Sequence, residues 1–300
     1  MSQPEPTLLI DEVPTDVTPT YSPMREAWRM FLRNKAAVLG LILFTIVLLF
    51  SLLGPFLYKV DPFKIVWQPF TPPGESPTVP LGTNHLGRDM LAGLIDGGDT
   101  TLLVGAMAAA ITVIIGILVG ALAGYYGGWV DEVLMRVTEF FQVLPPLLFA
   151  MVIVALFSPK LLTIAIAIGV VSWPQTARLT RGEFLKIKNL EYVSAARAIG
   201  TSDASIIRDV ILPNALPPLI VSATLIIGVS ILFEAGLSFL GLGDPNVVSW
   251  GSMIGEGRSN MLDAWWLVTI PGIAIFLTVL SISLIGDGLN DAFNPKLRDR

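Results

Sequence analysis

His85 and Ser238 are the side chains whose types could begin acid–base or nucleophilic chemistry. His85 is the only histidine, and the chain has no cysteine. A metal site or a general base needs partners of those kinds, so His85 reads as loop structure. Ser238 lies in "GLSFLGLGDP" (Gly236–Pro245), close to a nucleophile elbow, but Leu240 stands where that pattern needs glycine. With no inward-facing histidine to pair with Ser238, a serine-hydrolase reading fails. No catalytic residue and no metal site is expected. Gly-Lys occurs nowhere, so the chain lacks a phosphate-binding P-loop of its own.

The polar stretch "EYVSAARAIGTSDASIIRDVILPNALPP" (Glu191–Pro218) is the other place where function could reside. Helix formers run from Glu191 to Ile199, and Ser194, Ala195 and Ala196 leave a smooth surface. Gly200 allows a left-handed backbone, and Thr201 or Ser202 can cap a new helix with Asp203 in its first turn. Ile206, Ile207, Val210 and Ile211 form one apolar stripe, a face that something must cover. Leu212-Pro213 disfavours continuation, and Pro217 and Pro218 redirect the chain. The expected unit is two short helices joined by a bend.

Elements that position this unit follow from composition. Of 300 residues 53% are hydrophobic and 14% charged, with mean hydropathy +0.70. Soluble domains carry about 25% charged residues, so this is an integral membrane protein. The fold class expected is an all-α polytopic membrane protein with six transmembrane helices. The spans are Ala37–Leu57, Leu102–Ala123, Phe140–Phe157, Leu161–Ala177, Leu216–Phe233 and Ala264–Ile285, none containing an ionisable residue.

With the N-terminus inside, 14 of the 19 basic residues fall on the cytoplasmic side. Both termini and the polar stretch are therefore expected in the cytoplasm. Residues 1–23, rich in Pro, Thr and acids, read as a disordered cytoplasmic tail and not as a signal peptide. Arg25, Arg29 and Arg33 share one helical face and Trp28, Phe31 and Leu32 another, the pattern of an interfacial helix. That helix, the first span and an outer loop make up 24–101. The remaining spans fall in 102–290, and 291–300 form a second tail, cytoplasmic like the first.

Gly116, Gly120 and Gly124 recur every fourth residue in the second span, a face for close helix packing within the subunit or between subunits. Beyond a glycine turn at Gly127 and Gly128, Trp129, Val130, Val133, Leu134, Val137, Phe140 and Phe141 make an amphipathic lead-in to the third span. The outer stretch Leu81–Gly105 reads as a tightly turned loop. The Trp265–Trp266 pair suits a membrane-interface belt.

Ser194-Ala195-Ala196, three residues, Gly200, nine residues, Val210, one residue, Leu212-Pro213: this spacing resembles the "EAA" loop of membrane subunits of ABC importers. "LGTNHLGRDML", "AGYYGGWVDEVLMR", "YVSAARAIG", "ILPN", "LSFLGLG", "WGSMI", "AWW", "PG" and "GDGLNDAFNPKLR" follow in the order of one branch, the second (C-type) permease of dipeptide, oligopeptide and nickel uptake systems. The resemblance implies a type I ABC importer transmembrane fold in a bacterial or archaeal cytoplasmic membrane. It implies that segment 181–215 couples to an ATPase through Glu191, Ser194, Ala195, Ala196, Gly200, Val210, Leu212 and Pro213. Partners implied are a homologous second permease, two ATP-binding subunits that hold the ATP, and an extracytoplasmic solute-binding protein. Lipid surrounds the chain, and no cofactor and no nucleic acid is expected.

Ser194 stands where that family often has Glu, and Val210 where Ile is usual. Gly93, Asp96 and Asp99 replace Arg, Tyr and Arg. The expected function is import of di- or oligopeptides by alternating access. Nickel or another small solute is the alternative cargo. An ion-coupled carrier acting alone is the competing class, weakened by apolar spans without ionisable groups.

Overall fold

A computed structural model describes residues 23–293; the expected 1–23 tail, apart from its last residue, and residues 294–300 of the 291–300 tail fall outside the described residues. The regular elements among the described residues are helices; the long loop at 58–89 carries two isolated backbone bridges, Ile65 with Arg88 and Thr83 with Asp89.

Helix α1 (Pro23–Arg33) lies beside α2 (Lys35–Leu57). The Asn34 side chain accepts from the Ala36 and Ala37 amides at 3.0 and 3.1 Å, which starts α2. Its amide nitrogen donates to Asp291 at 2.9 Å, tying the front of the chain to its end. Phe31, from the apolar face of α1, packs inside the chain. It is buried with Ala27, Ala37 and Ala292, while Trp28 and Leu32 stay exposed.

The second helix turns its large side chains outward. Leu39, Ile42, Ile46, Leu49 and Leu53, spaced three and four apart, are exposed, whereas Ala37, Gly40, Ser51 and Gly54 are buried. A β-carbon at Gly40 would stand 2.7 Å from that of Leu284. Lipid is as apolar as leucine, so small residues decide where helices meet.

The third helix, α3 (Met90–Tyr126), has 37 residues and is about 55 Å long. It begins well before Leu102, so much of the expected outer loop is helix. Asp89 caps it, accepting from the Leu91 and Ala92 amides at 2.7 and 3.3 Å. Gly97 and Gly98 make room for Trp250 rather than turns; a β-carbon on Gly98 would meet that ring at 2.9 Å.

Helices α4 (Gly128–Val143) and α5 (Pro146–Phe157) meet at 87°, so the third span expected at Phe140–Phe157 is not one straight helix. Leu144 is extended before Pro145, as a residue preceding proline prefers. With α5 only 12 residues long, this pair counts as a span only when taken together. The lead-in's apolar face is left open by this chain: Trp129, Val133, Val137 and Phe140 are all exposed.

The remaining helices are α6 (Leu161–Ile187), α7 (Glu191–Ala198), α8 (Asp203–Leu242), α9 (Trp250–Gly257) and α10 (Trp266–Phe293). Helix α3 is central: it packs on α2, α6 and α8, and α10 closes the bundle against α2 and α8.

Candidate functional site

The polar segment begins where α6 ends. The Leu190 carbonyl accepts from the Val193 and Ser194 amides at 3.1 and 3.2 Å and opens α7. Gly200, at φ 85°, closes it. Its amide donates to the Arg197 carbonyl at 3.1 Å and the Thr201 amide to that of Ala196 at 3.1 Å, the two bonds of a Schellman ending. Nothing lies within 4 Å of a β-carbon built on Gly200, so the backbone conformation, not crowding, calls for glycine there.

Ser202 accepts from the Ser205 amide at 3.3 Å and starts the second helix. This helix is not a separate short element. One π turn at Ile206–Ile211 carries it directly into the span, so α8 runs 40 residues. Pro213 lies inside this continuous helix, two residues past the π turn, whose widened i→i+5 pattern departs from the regular ladder where the proline lacks its amide proton. The helix therefore continues through the residue at which the sequence pattern argued for a stop.

The apolar stripe is covered by the chain itself. Val193, Ile206 and Ile211 are fully buried among Ala121, Tyr125, Phe184 and Ile187 of α3 and α6. Val210 and Leu212 are half-buried at its edge, with Ala196. Glu191, Ser194, Ala195, Gly200 and Pro213 are exposed. The pattern did not single out Ile199, 83% exposed, or Tyr192, 45% exposed, which share the open surface of this hairpin.

Polar contacts fasten the hairpin to the bundle. The Tyr125 hydroxyl donates to Asp203 at 2.5 Å, and the Arg197 guanidinium lies 5.9 Å from the Tyr125 ring centroid. Lys188 reaches the Tyr125 carbonyl at 3.4 Å. One helix away, Arg181 donates to both oxygens of Asp131 at 2.5 Å, binding α4 to α6. In the sequence Tyr125 is visible only as part of "AGYYGG"; its side chain matters because α3 ends beneath the hairpin.

Gly116, Gly120 and Gly124 face α6. β-Carbons there would meet Thr176 Cγ2 at 2.7 Å, Thr180 Cβ at 2.6 Å and Phe184 Cβ at 2.6 Å.

At the opposite end, Glu234 corrects the expectation of spans without ionisable groups. It follows Phe233 directly, but α8 continues past it, leaving it 1% exposed. Ser238 donates to its Oε1 at 2.6 Å, so the serine and the glutamate form a buried pair. Trp266 is buried and donates to the Thr83 carbonyl at 3.1 Å, leaving Trp265 alone exposed for a membrane belt. Trp250 donates to the Leu94 carbonyl at 2.8 Å. The Tyr58 hydroxyl donates to Asp89; burial, then that carboxylate, hold its phenol well above the usual range. Among the described residues no cluster of three metal-ligating side chains occurs. A cavity of about 470 Å³ opens here, walled chiefly by residues of the 62–89 loop, the start of α3 and the 238–258 segment.

Residues 116–299 match the family described as "Binding-protein-dependent transport system inner membrane component", and residues 22–73 match "N-terminal TM domain of oligopeptide transport permease C". The di/tripeptide transport system permease protein DppC of Pseudomonas aeruginosa is 40% identical over 285 residues, covering 93% of this chain and 94% of that protein. The dipeptide transport system permease protein DppC of Bacillus subtilis is 39% identical, covering 93% and 88%. The glutathione transport system permease protein GsiD of Pectobacterium atrosepticum is 36% identical, covering 92% of each. Among solved structures, the inward-facing MetNI methionine ABC transporter aligns with a TM-score of 0.59 at 20% identity, over 68% of this chain and 98% of that one. At that identity the likeness concerns fold alone.

Proposed function

Because the chain belongs to the family of binding-protein-dependent transport system inner membrane components, and is thus a multi-pass permease component of an ABC importer, we propose that its cargo is short peptides and that separate ATPase subunits drive it. The relatives named for dipeptide, tripeptide and glutathione transport support a peptide cargo. Nickel or another small solute is the weaker alternative.

In this reading the Glu191–Pro213 hairpin rests on one of two ATP-binding subunits. Its open side carries Glu191, Ser194 and Ala195, with Tyr192 and Ile199 as apolar contacts. Ser194 offers no charge, so Glu191 is the acidic group available to a basic partner. A homologous second permease completes the path, and a solute-binding protein delivers cargo from outside. Closure of the ATPases pushes the hairpin, and the spans pass between inward- and outward-open states. This chain itself catalyses nothing; ATP is bound by the partners.

The observation that carries the reading is the attachment of the hairpin. Its buried face and the Tyr125–Asp203 bond fix it to α3, and its second half continues as α8, so displacement reaches two spans at once. The test is uptake of labelled dialanine into proteoliposomes holding the full complex and its solute-binding protein. Uptake should require ATP on the hairpin side. Uptake driven by a proton or sodium gradient without the ATPases would overturn it.

A further inference from the structure

The cavity at the end opposite the hairpin holds charged groups without partners. Arg88 lies over the Phe63 ring at 5.5 Å and Arg258 over the Phe239 ring at 5.4 Å. Both arginines and Glu256 line the cavity, and among the described residues none of the three enters an ion pair. Arg88 Nε is shut off from water and has no acceptor.

The other two carboxylates on the wall are already occupied. Asp89 takes the Leu91 and Ala92 amides and the Tyr58 hydroxyl. Asp244 takes the Leu161 amide at 3.3 Å and the Asn246 amide at 3.0 Å. What remains open is two guanidinium groups, held in place by aromatic rings, and one carboxylate. Beside them Met90, Met253 and Leu267 supply buried apolar wall. A volume of about 470 Å³ lies in the size range of small-molecule sites.

We propose that this outer cavity is a transit subsite for a free short peptide in its zwitterionic form. The peptide carboxylate is met by Arg88 and Arg258, whose planar forks suit it, and the ammonium by Glu256. Side chains of the peptide lie on the methionines. The proposal rests on the peptide-cargo reading and extends it to a place in this chain.

The test uses the whole complex, purified through this chain and held in nanodiscs without the solute-binding protein. Dialanine, N-acetyl-dialanine and dialanine amide are titrated by saturation-transfer NMR. Dialanine is expected to bind with a dissociation constant on the order of 1 mM, and each blocked form about tenfold more weakly. Glu256→Gln should weaken dialanine about tenfold yet leave N-acetyl-dialanine, which has no ammonium, unchanged. Arg258→Gln should weaken dialanine and leave dialanine amide unchanged. These unaffected controls separate lost recognition from lost folding. No dialanine binding, equal binding of the blocked forms, or variants that weaken all three ligands alike would overturn the subsite. Dialanine uptake by the complete system with a silent cavity would sink the subsite alone; absence of peptide uptake would sink the cargo reading itself.

Discussion

The Tyr125 hydroxyl and the Asp203 carboxylate, 78 positions apart in the chain, meet at 2.5 Å and join the last turn of α3 to the first turn of α8. Arg197 lies over the same ring, so this one tyrosine holds both halves of the hairpin. Tyr125→Phe keeps the ring and removes the bond. A single hydrogen bond to a charged acceptor contributes about 1.5–3 kcal/mol, and exposure of Asp203 places this one at the low end. The variant should assemble normally, hydrolyse ATP, and import several-fold less peptide per ATP. An unchanged ratio of uptake to hydrolysis would remove Tyr125 from the coupling path.

Gly200 tests the bend. At φ 85° an alanine costs about 1 kcal/mol, and a proline also deletes the bond to the Arg197 carbonyl. Gly200→Ala should be mildly impaired. Gly200→Pro should reach the membrane in normal amount while hydrolysis runs uncoupled from uptake. Wild-type uptake by the proline variant would contradict the lever role.

The α3–α6 seam gives a prediction about assembly. Gly120→Val introduces a branched side chain whose β-carbon would stand 2.6 Å from Thr180 Cβ, and overpacking of this kind costs about 1–3 kcal/mol. The protein should be recovered in lower yield with a reduced thermal midpoint. Gly182→Ala, with nothing within 4 Å, is the matched control and should behave as the parent. Equal midpoints for the two would show the seam to be slack.

Glu234 and Ser238 are a buried pair, and removing one partner strands the other. Ser238→Ala should lower stability by about 1–3 kcal/mol, read as a lower unfolding midpoint in detergent. Glu234→Gln keeps a group that can accept from Ser238 and should lose less than Glu234→Ala. If the glutamine and alanine variants unfold together, the hydrogen bond is not what this site requires.

Much of the architecture is legible in the sequence, for a physical reason. Hydrocarbon admits few ionised groups, so uncharged runs mark spans, and the surplus of basic residues marks a side. Helix ends are less legible because glycine and proline have two uses. Gly97 and Gly98 read as turn formers and are contact points for Trp250; Pro213 reads as a stop and sits inside a continuous helix just past a π turn. Only Pro145 and Pro146, within a segment read as one span, mark a break. For the hairpin, spacing locates the residues, and the period of Ile206 and Ile211 requires that they be covered. Nothing in a one-dimensional pattern says that the cover is Tyr125 and Phe184 of the same chain rather than a partner. Glu234 escapes the pattern because the apolar run ends one residue before it while the helix does not.

Helix α8 reaches about 60 Å, from the hairpin on one side to the wall of the outer cavity at Ser238–Gly243. A rod of that length cannot shift at one end without carrying the other. Its backbone widens into a π turn at Ile206–Ile211 and kinks at Gly241, φ 86°, where it meets the cavity wall. In the alternating-access reading proposed above, the two mouths of the pathway share one strut, and a seesaw needs no relay to keep both from standing open together.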